Sequence, residues 1–125
     1  MTLEQDLLAL NQQLLDSIMA ADWATYSSLC DSSITCFEAE AQGHLVQGLP
    51  FHQFYFNLGG SSSPKTVTMS QPHVRLLGDQ GAVISYVRLT QYLDGNGEPQ
   101  TAQIQETRVW QAINGQWKHV HAHRA

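Results

Sequence analysis

Apolar and polar positions alternate most strictly between Gly81 and Tyr92, a stretch dense in the β-branched and aromatic residues that suit a pleated surface. A period of two sets Ile84, Tyr86, Arg88 and Tyr92 on one face and Val83, Val87 and Leu89 on the other, which predicts a central strand with both faces largely covered. Three more segments read as strands: Thr66 to Leu77, Thr101 to Ile113 and Gln116 to Arg124. Pro72 marks a bulge or an edge, and Asp94-Gly95-Asn96-Gly97 and Asn114-Gly115 are hairpin turns. The first part of the chain has a helical period instead. Leu3, Leu7, Leu10, Leu14 and Ile18 follow a Thr2/Gln5 capping box and predict a helix over residues 3–20. Asp22 caps a short second helix through Trp23, Tyr26 and Leu29, ended by Asp31-Ser32-Ser33, whose side chains compete for backbone hydrogen bonds. A brief strand from Ile34 to Phe37, an extended piece around Leu45 and Val46, and a helix from Phe51 to Leu58 with Pro50 in its first turn follow. Ser61-Ser62-Ser63-Pro64-Lys65 is by composition a mobile loop. Helices first and an antiparallel meander afterwards make an α+β domain of two layers, with the helices covering one sheet face.

Composition narrows the classes. The chain has 125 residues, 42% of them hydrophobic, enough for one domain over residues 1–125 with its own core. A net charge of -5 leaves no basic footprint for nucleic acid or for an anionic membrane surface. No apolar run approaches the roughly 18 residues of a membrane span, and the first residues are acidic where a signal peptide is basic, so a soluble cytoplasmic protein is expected. Cys30 and Cys36 sit beside apolar residues without metal-ligand spacing and read as buried free thiols.

Three of the four arginines, Arg88, Arg108 and Arg124, interrupt strands. A guanidinium keeps its charge and is costly to withdraw from water unless anions or hydrogen bonds compensate it, so something negative is expected beside each. Glu38, Glu40 and Glu106 are the acids at hand, and ion pairing with them is one reading. An anion-accepting cavity is the other, because three cations exceed what Glu106 alone neutralises and guanidinium forks suit a carboxylate or phosphate. Whether the three share a face depends on register. A two-residue Asn114-Gly115 turn pairs Ile113 with Gln116, whereas a three-residue loop with a glycine bulge exchanges the faces. If both hairpins carry such a bulge, Arg88, Arg108 and Arg124 lie together with Tyr86 and Glu106. By strict alternation His119, His121 and His123 share one face, which reads as a metal-free row near an interface or the sheet surface. Trp110 and Trp117 add aromatic surface for self-association.

The segments Phe37-Glu38-Ala39-Glu40-Ala41, Gly48-Leu49-Pro50-Phe51-His52-Gln53-Phe54-Tyr55-Phe56, Pro72-His73-Val74-Arg75-Leu76, Tyr86-Val87-Arg88-Leu89-Thr90-Gln91-Tyr92, Glu106-Thr107-Arg108-Val109-Trp110 and Val120-His121-Ala122-His123-Arg124 are ordered along nearly the whole chain. Together they resemble the association, or hub, domain family of calcium/calmodulin-dependent protein kinase II. The resemblance implies a cone-shaped nuclear-transport-factor-2-like (cystatin-like) fold, with N-terminal helices packed in the concave face of a curved antiparallel sheet around a cavity. It implies cavity arginines at Arg88, Arg108 and Arg124, a small-carboxylate site lined by His52, and therefore the bulged register. It also implies a homodimer that assembles further into rings, with no cofactor. The chain has no glycine-rich loop followed by a strand lysine, no His-Arg-Asp loop and no Asp-Phe-Gly, so kinase activity is excluded. It lacks the basic helix that calmodulin would take, so calmodulin is not an expected partner. Where the family carries bulky residues after the third helix this chain has Gly59-Gly60-Ser61-Ser62-Ser63, a departure that speaks against a lid. The alternative is an enzyme of the same cone, related to ketosteroid isomerase or polyketide cyclases, with His52, Glu38 or Glu40 as general base and the arginines stabilising an enolate. A cavity-facing carboxylate or imidazole free of an arginine partner would favour that alternative.

Overall fold

The computed structural model describes residues 1–60 and 63–125, so Ser61 and Ser62 of the expected mobile loop lie outside the described residues. Helix α1 spans Leu3–Met19 and begins with the expected capping box: Gln5 N–H donates to Thr2 Oγ1 at 3.1 Å and Thr2 N–H to Gln5 Oε1 at 2.9 Å. Its Leu7, Leu14 and Leu15 are buried, and Gln12 Nε2 donates to the Val67 carbonyl at 3.1 Å, tying the helix to the sheet. Helix α2, Trp23–Leu29, is capped by Asp22 and passes straight into strand β1, Cys30–Phe37. Asp31-Ser32-Ser33 is therefore not a terminating loop. These residues form the start of β1, where Ser33 N–H bonds back to the Asp31 carboxylate at 3.0 Å and the pairing of β1 slips between Cys30 and Thr35. The two-residue strand β2, Val46–Gln47, and helix α3, Pro50–Asn57, follow, and strands β3 (Lys65–Leu76), β4 (Gly81–Leu93), β5 (Pro99–Ile113) and β6 (Gln116–Arg124) complete the sheet.

The strand order is β2-β1-β6-β5-β4-β3. β3 to β6 form the expected antiparallel meander, but β1 lies parallel to β6, so the sheet is mixed rather than wholly antiparallel. No hairpin joins those two strands, and nothing local dictates their relative direction. Pro72 does mark a bulge: the β3–β4 register slips between Ser70 and His73, with Gln71 at φ 50°.

The β5–β6 hairpin departs from the bulged loop. Asn114 and Gly115 take φ 53° and 78°, the left-handed pair of a tight two-residue turn, and Ile113 faces Gln116. The extra residue sits inside the strand instead. Trp110 pairs with His119 and Val109 with His121, leaving Val120 as the bulge. That slip corrects two expectations. His119 turns inward with Ala122 and is wholly buried, while His121 and His123 face the opposite side, so the three histidines do not share a face. Trp110 is also wholly buried and contributes to the core, not to an outer surface.

The core lies between α1, α2 and the inner sheet face, where Leu7, Leu14, Leu15, Tyr26, Ile84 and Trp110 meet. One polar side chain is built into it. Asn11 accepts from Trp110 Nε1 at 3.0 Å and donates to Tyr86 Oη at 3.1 Å, which satisfies both groups in a wholly buried site.

Candidate functional site

The five-residue connection between Leu93 and Pro99 keeps Ile84 opposite Arg108 and Tyr86 opposite Glu106, so residues of equal parity on β4 and β5 share a face. The Val120 bulge then brings Arg124 opposite Glu106 on that same face. Arg88, Arg108, Arg124, Tyr86 and Glu106 are thus brought together, but by a five-residue loop and a bulge within β6 rather than by two glycine-bulged turns.

Glu106 is the common partner. Its side chain is fully buried; Oε1 accepts from Tyr86 Oη at 2.7 Å and from Arg108 Nη2 at 3.2 Å, Oε2 accepts from Arg124 Nε at 3.2 Å, and Arg88 Nη1 forms an ion pair with Oε2 at 3.1 Å. Burial opposes ionisation of Glu106, but the Arg108 and Arg88 guanidiniums, the Tyr86 hydroxyl and Arg124 outweigh it and hold the carboxyl below the usual carboxylate range. Arg124 Nη1 also meets Glu38 Oε2 at 3.0 Å and Glu40 Oε2 at 3.4 Å. Three cations therefore face three carboxylates, and the excess of positive charge expected from the sequence is absent. What remains is local. Arg88 Nε is buried without a hydrogen-bond partner, and burial lowers the Arg88 pKa despite the attraction of Glu106.

Helix α3 brings in His52. Phe56, one turn on, packs against Trp23 and Tyr26 at ring-centroid distances of 5.2 and 4.7 Å, which fixes the helix against α2. His52 Nε2 lies 2.7 Å from Glu38 Oε1, and its Nδ1 lies 3.1 Å from Tyr26 Oη. With Glu38 ionised, Nε2–H donates to the carboxylate and Nδ1 accepts from the tyrosine hydroxyl. Burial again opposes the Glu38 charge, yet the His52 contact and Arg124 keep its pKa below the ordinary range.

A cavity of about 220 Å³ opens between these groups, walled by Tyr26, Glu38, His52, Arg88, Arg108 and Arg124 among others. Tyr86 and Glu106 are not in its wall. They stand behind the arginines and hold them. Cys36 and His119 do reach the wall, and neither was given a cavity role by the sequence. Tyr26 was legible only as an apolar helix position, and the inward turn of His119 is a product of the bulge. His119 is engaged on both sides, with Nδ1 3.5 Å from Cys30 Sγ and Nε2 3.4 Å from Arg108 Nη1. Both ring nitrogens of His52 are likewise occupied, and Glu38 and Glu40 each meet Arg124. His119, Glu38 and Glu40 each have an arginine partner, whereas His52 faces the cavity with Tyr26 and Glu38 as its partners, so it is the wall imidazole that meets the condition set for the enzyme alternative.

Burial, reinforced by the Arg108 charge, pushes the His119 pKa well down, so the ring is neutral in the folded protein. The unfolded chain takes up this proton from about pH 6.5 downward while the folded one does not. Stability is therefore complete above that pH and falls below it, by at most about 1.4 kcal/mol per pH unit for one proton. Melting temperatures measured from pH 7 to 5 should decline, and His119→Gln should flatten the decline; an equal slope in the variant would remove His119 as its source.

The family model described as the calcium/calmodulin dependent protein kinase II association domain matches residues 3–125. A calcium/calmodulin-dependent protein kinase type II from Caenorhabditis elegans is 48% identical over 122 residues, which cover 98% of this chain but 17% of that protein. The solved association domain of the C. elegans kinase superposes with a TM-score of 0.92 at 48% identity, over 98% of this chain and 94% of that one. A nuclear-transport-factor-2-like protein from Cytophaga hutchinsonii gives a TM-score of 0.80 at 17% identity over 100% of this chain and 98% of its own, a likeness of fold alone.

Proposed function

Because the chain belongs to the calcium/calmodulin-dependent protein kinase II association-domain family, we propose that it is a self-associating module whose cavity takes a small carboxylate or comparable anion. The chain holds no kinase catalytic domain. Self-association is supported by the sheet face opposite the helices, where Val83, Val87, Leu89 and Val109 are only half-buried and Phe37, 39% exposed, packs against His121 and His123. A largely apolar face of this kind is stabilised when a second copy covers it. A net charge of -5 argues against nucleic acid as a partner, and no helix of the described residues is long and apolar enough to cross a membrane.

The observation that carries the anion reading is Arg88. Glu106 engages only its Nη1, and its buried Nε has no acceptor, so a bidentate anion on that edge would complete the guanidinium. About 220 Å³ suits a small molecule, since drug-sized ligands occupy pockets of roughly 300–1,000 Å³. Glu106, itself held by Tyr86, Arg108 and Arg124, positions Arg88, and His52 is part of the same cavity wall. Light scattering at micromolar concentration should return at least a dimer; a monomer of 13.9 kDa sinks the self-association reading. Acetate, succinate or phosphate should raise the melting temperature, by the equivalent of about 2.7 kcal/mol at a hundredfold excess over Kd. Arg88→Met should lose that response while remaining folded, since it keeps the apolar stem and removes the cation. If none of the three anions stabilises the wild-type protein, the cavity is structural.

A further inference from the structure

Cys36, Glu38 and His52 converge at the edge of the cavity. Cys36 Sγ, a Glu38 carboxylate oxygen and a His52 ring nitrogen all lie within 4.8 Å of one another. We infer that these three side chains form a binding site for a zinc-class divalent cation, with the fourth coordination position open to the cavity. A tetrahedral zinc ion with bonds of about 2.0–2.3 Å holds its ligand atoms somewhat over 3 Å apart, so the present spacing needs only small side-chain movements. One thiolate, one imidazole and one carboxylate are a borderline-soft set, which favours zinc over magnesium or calcium.

The surrounding contacts orient each ligand as a metal site requires. His52 Nε2 is the nitrogen that meets Glu38, and Nδ1 is 3.1 Å from Tyr26 Oη; when Nε2 binds the ion, the ring proton moves to Nδ1 and is donated to that hydroxyl. Glu38 keeps one oxygen on Arg124 at 3.0 Å and frees Oε1, the atom now 2.7 Å from His52. Cys36 Sγ lies 3.6 Å from the Phe37 carbonyl, and its thiol interacts with the Glu38 carboxylate. The proton count closes simply. The His52 proton changes nitrogen, the Cys36 thiol proton leaves to solvent, and one proton is released per ion bound. Three arginines and three glutamates balance without the ion, whereas a dication and one new thiolate leave one positive charge in the cavity that Arg88 also lines. An anionic fourth ligand would neutralise it, although the cation site does not depend on the anion reading.

The test uses tag-free protein stripped with a chelator and given zinc alone in a buffer without carboxylate or phosphate. Equilibrium dialysis should find one zinc per chain, and titration in weakly buffered solution one proton released per zinc. Cobalt(II) should give a thiolate-to-metal charge-transfer band. Cys36→Ser should abolish the band and weaken zinc binding at least tenfold, Tyr26→Phe should weaken it about tenfold or more through His52, and Cys30→Ser should change neither. Absence of zinc binding at micromolar free metal overturns the site, as does undiminished binding in folded Cys36→Ser, which would move the ion to the outward His121 and His123. Should Cys36→Ser fail to fold, a wild-type cobalt complex lacking the thiolate band has the same force.

Discussion

Glu106→Gln is expected to lower stability by about 3–5 kcal/mol, the usual result of removing one partner from a buried ionic network. For a domain of this size that corresponds to a fall in melting temperature on the order of 12–20 °C. The size of the effect follows from geometry. Glu106 is 2% exposed and is the one carboxylate that touches all three guanidiniums, so an amide leaves Arg88 without any ion-pair partner and Arg108 without its nearest anion. Arg108 is itself only 2% exposed, and its pKa is raised chiefly because Glu106 overcomes the penalty of burial. A second substitution separates charge from packing. Arg88→Met in the Glu106→Gln background should recover part of the loss, because it removes a cation that no longer has a counter-charge. Acid should imitate the variant: the folded Glu106 pKa lies below the unfolded value, so its contribution is present above about pH 4.3 and is lost as pH falls through the folded pKa. A loss under about 1 kcal/mol on chemical denaturation would mean that Glu38 and Glu40 suffice to hold the arginines.

Trp110→Ala should cost a similar amount, about 3–5 kcal/mol, as expected for emptying a large aromatic site in a close-packed core. Trp110 is wholly buried and donates its Nε1–H to Asn11, so truncation leaves both a void and an unpaired Asn11 oxygen. Its neighbour on β5 supplies the contrast. Val109 points to the opposite face, and Val109→Glu should leave the monomer's unfolding free energy nearly unchanged while shifting assembly toward smaller species. Denaturation and light scattering on the two variants decide it. If Trp110→Ala only dissociates the assembly and Val109→Glu unfolds the chain, the faces of β5 have been assigned the wrong way round.

The sheet and helix α1 were legible because their periods persist over several turns or pleats, and the Gln71 bulge because a proline announces it. The Val120 bulge was not. In Trp117-Lys118-His119-Val120-His121 the apolar pattern favours placing valine inward and histidine outward. The opposite arrangement holds because the inward His119 finds Arg108 and Cys30, a compensation that exists only in three dimensions. Asn11 was hidden similarly, since an asparagine on α1 reads as solvent-facing until Trp110 and Tyr86 are placed beside it. The arginines were visible as anomalies on apolar strands. Their charge balance was not, because Glu38 and Glu40 reach Arg124 only through the parallel pairing of β1 with β6.

That parallel pairing also governs the order in which the domain can form. β6 is the last strand of the sequence yet stands third in the sheet, between β1 and β5, and its penultimate residue, His123, pairs with Phe37. During synthesis α1, α2 and β1 emerge well before the strand that β1 must lie against, and β5 has no partner on that side until β6 forms. Such non-local closure slows folding, because chain entropy is lost before the contacts that reward it are made. Glu38 and Arg124 meet only once nearly the whole domain has left the ribosome, so a nascent chain that stops short of Arg124 lacks that ion pair and the last pairing of β6 with β5.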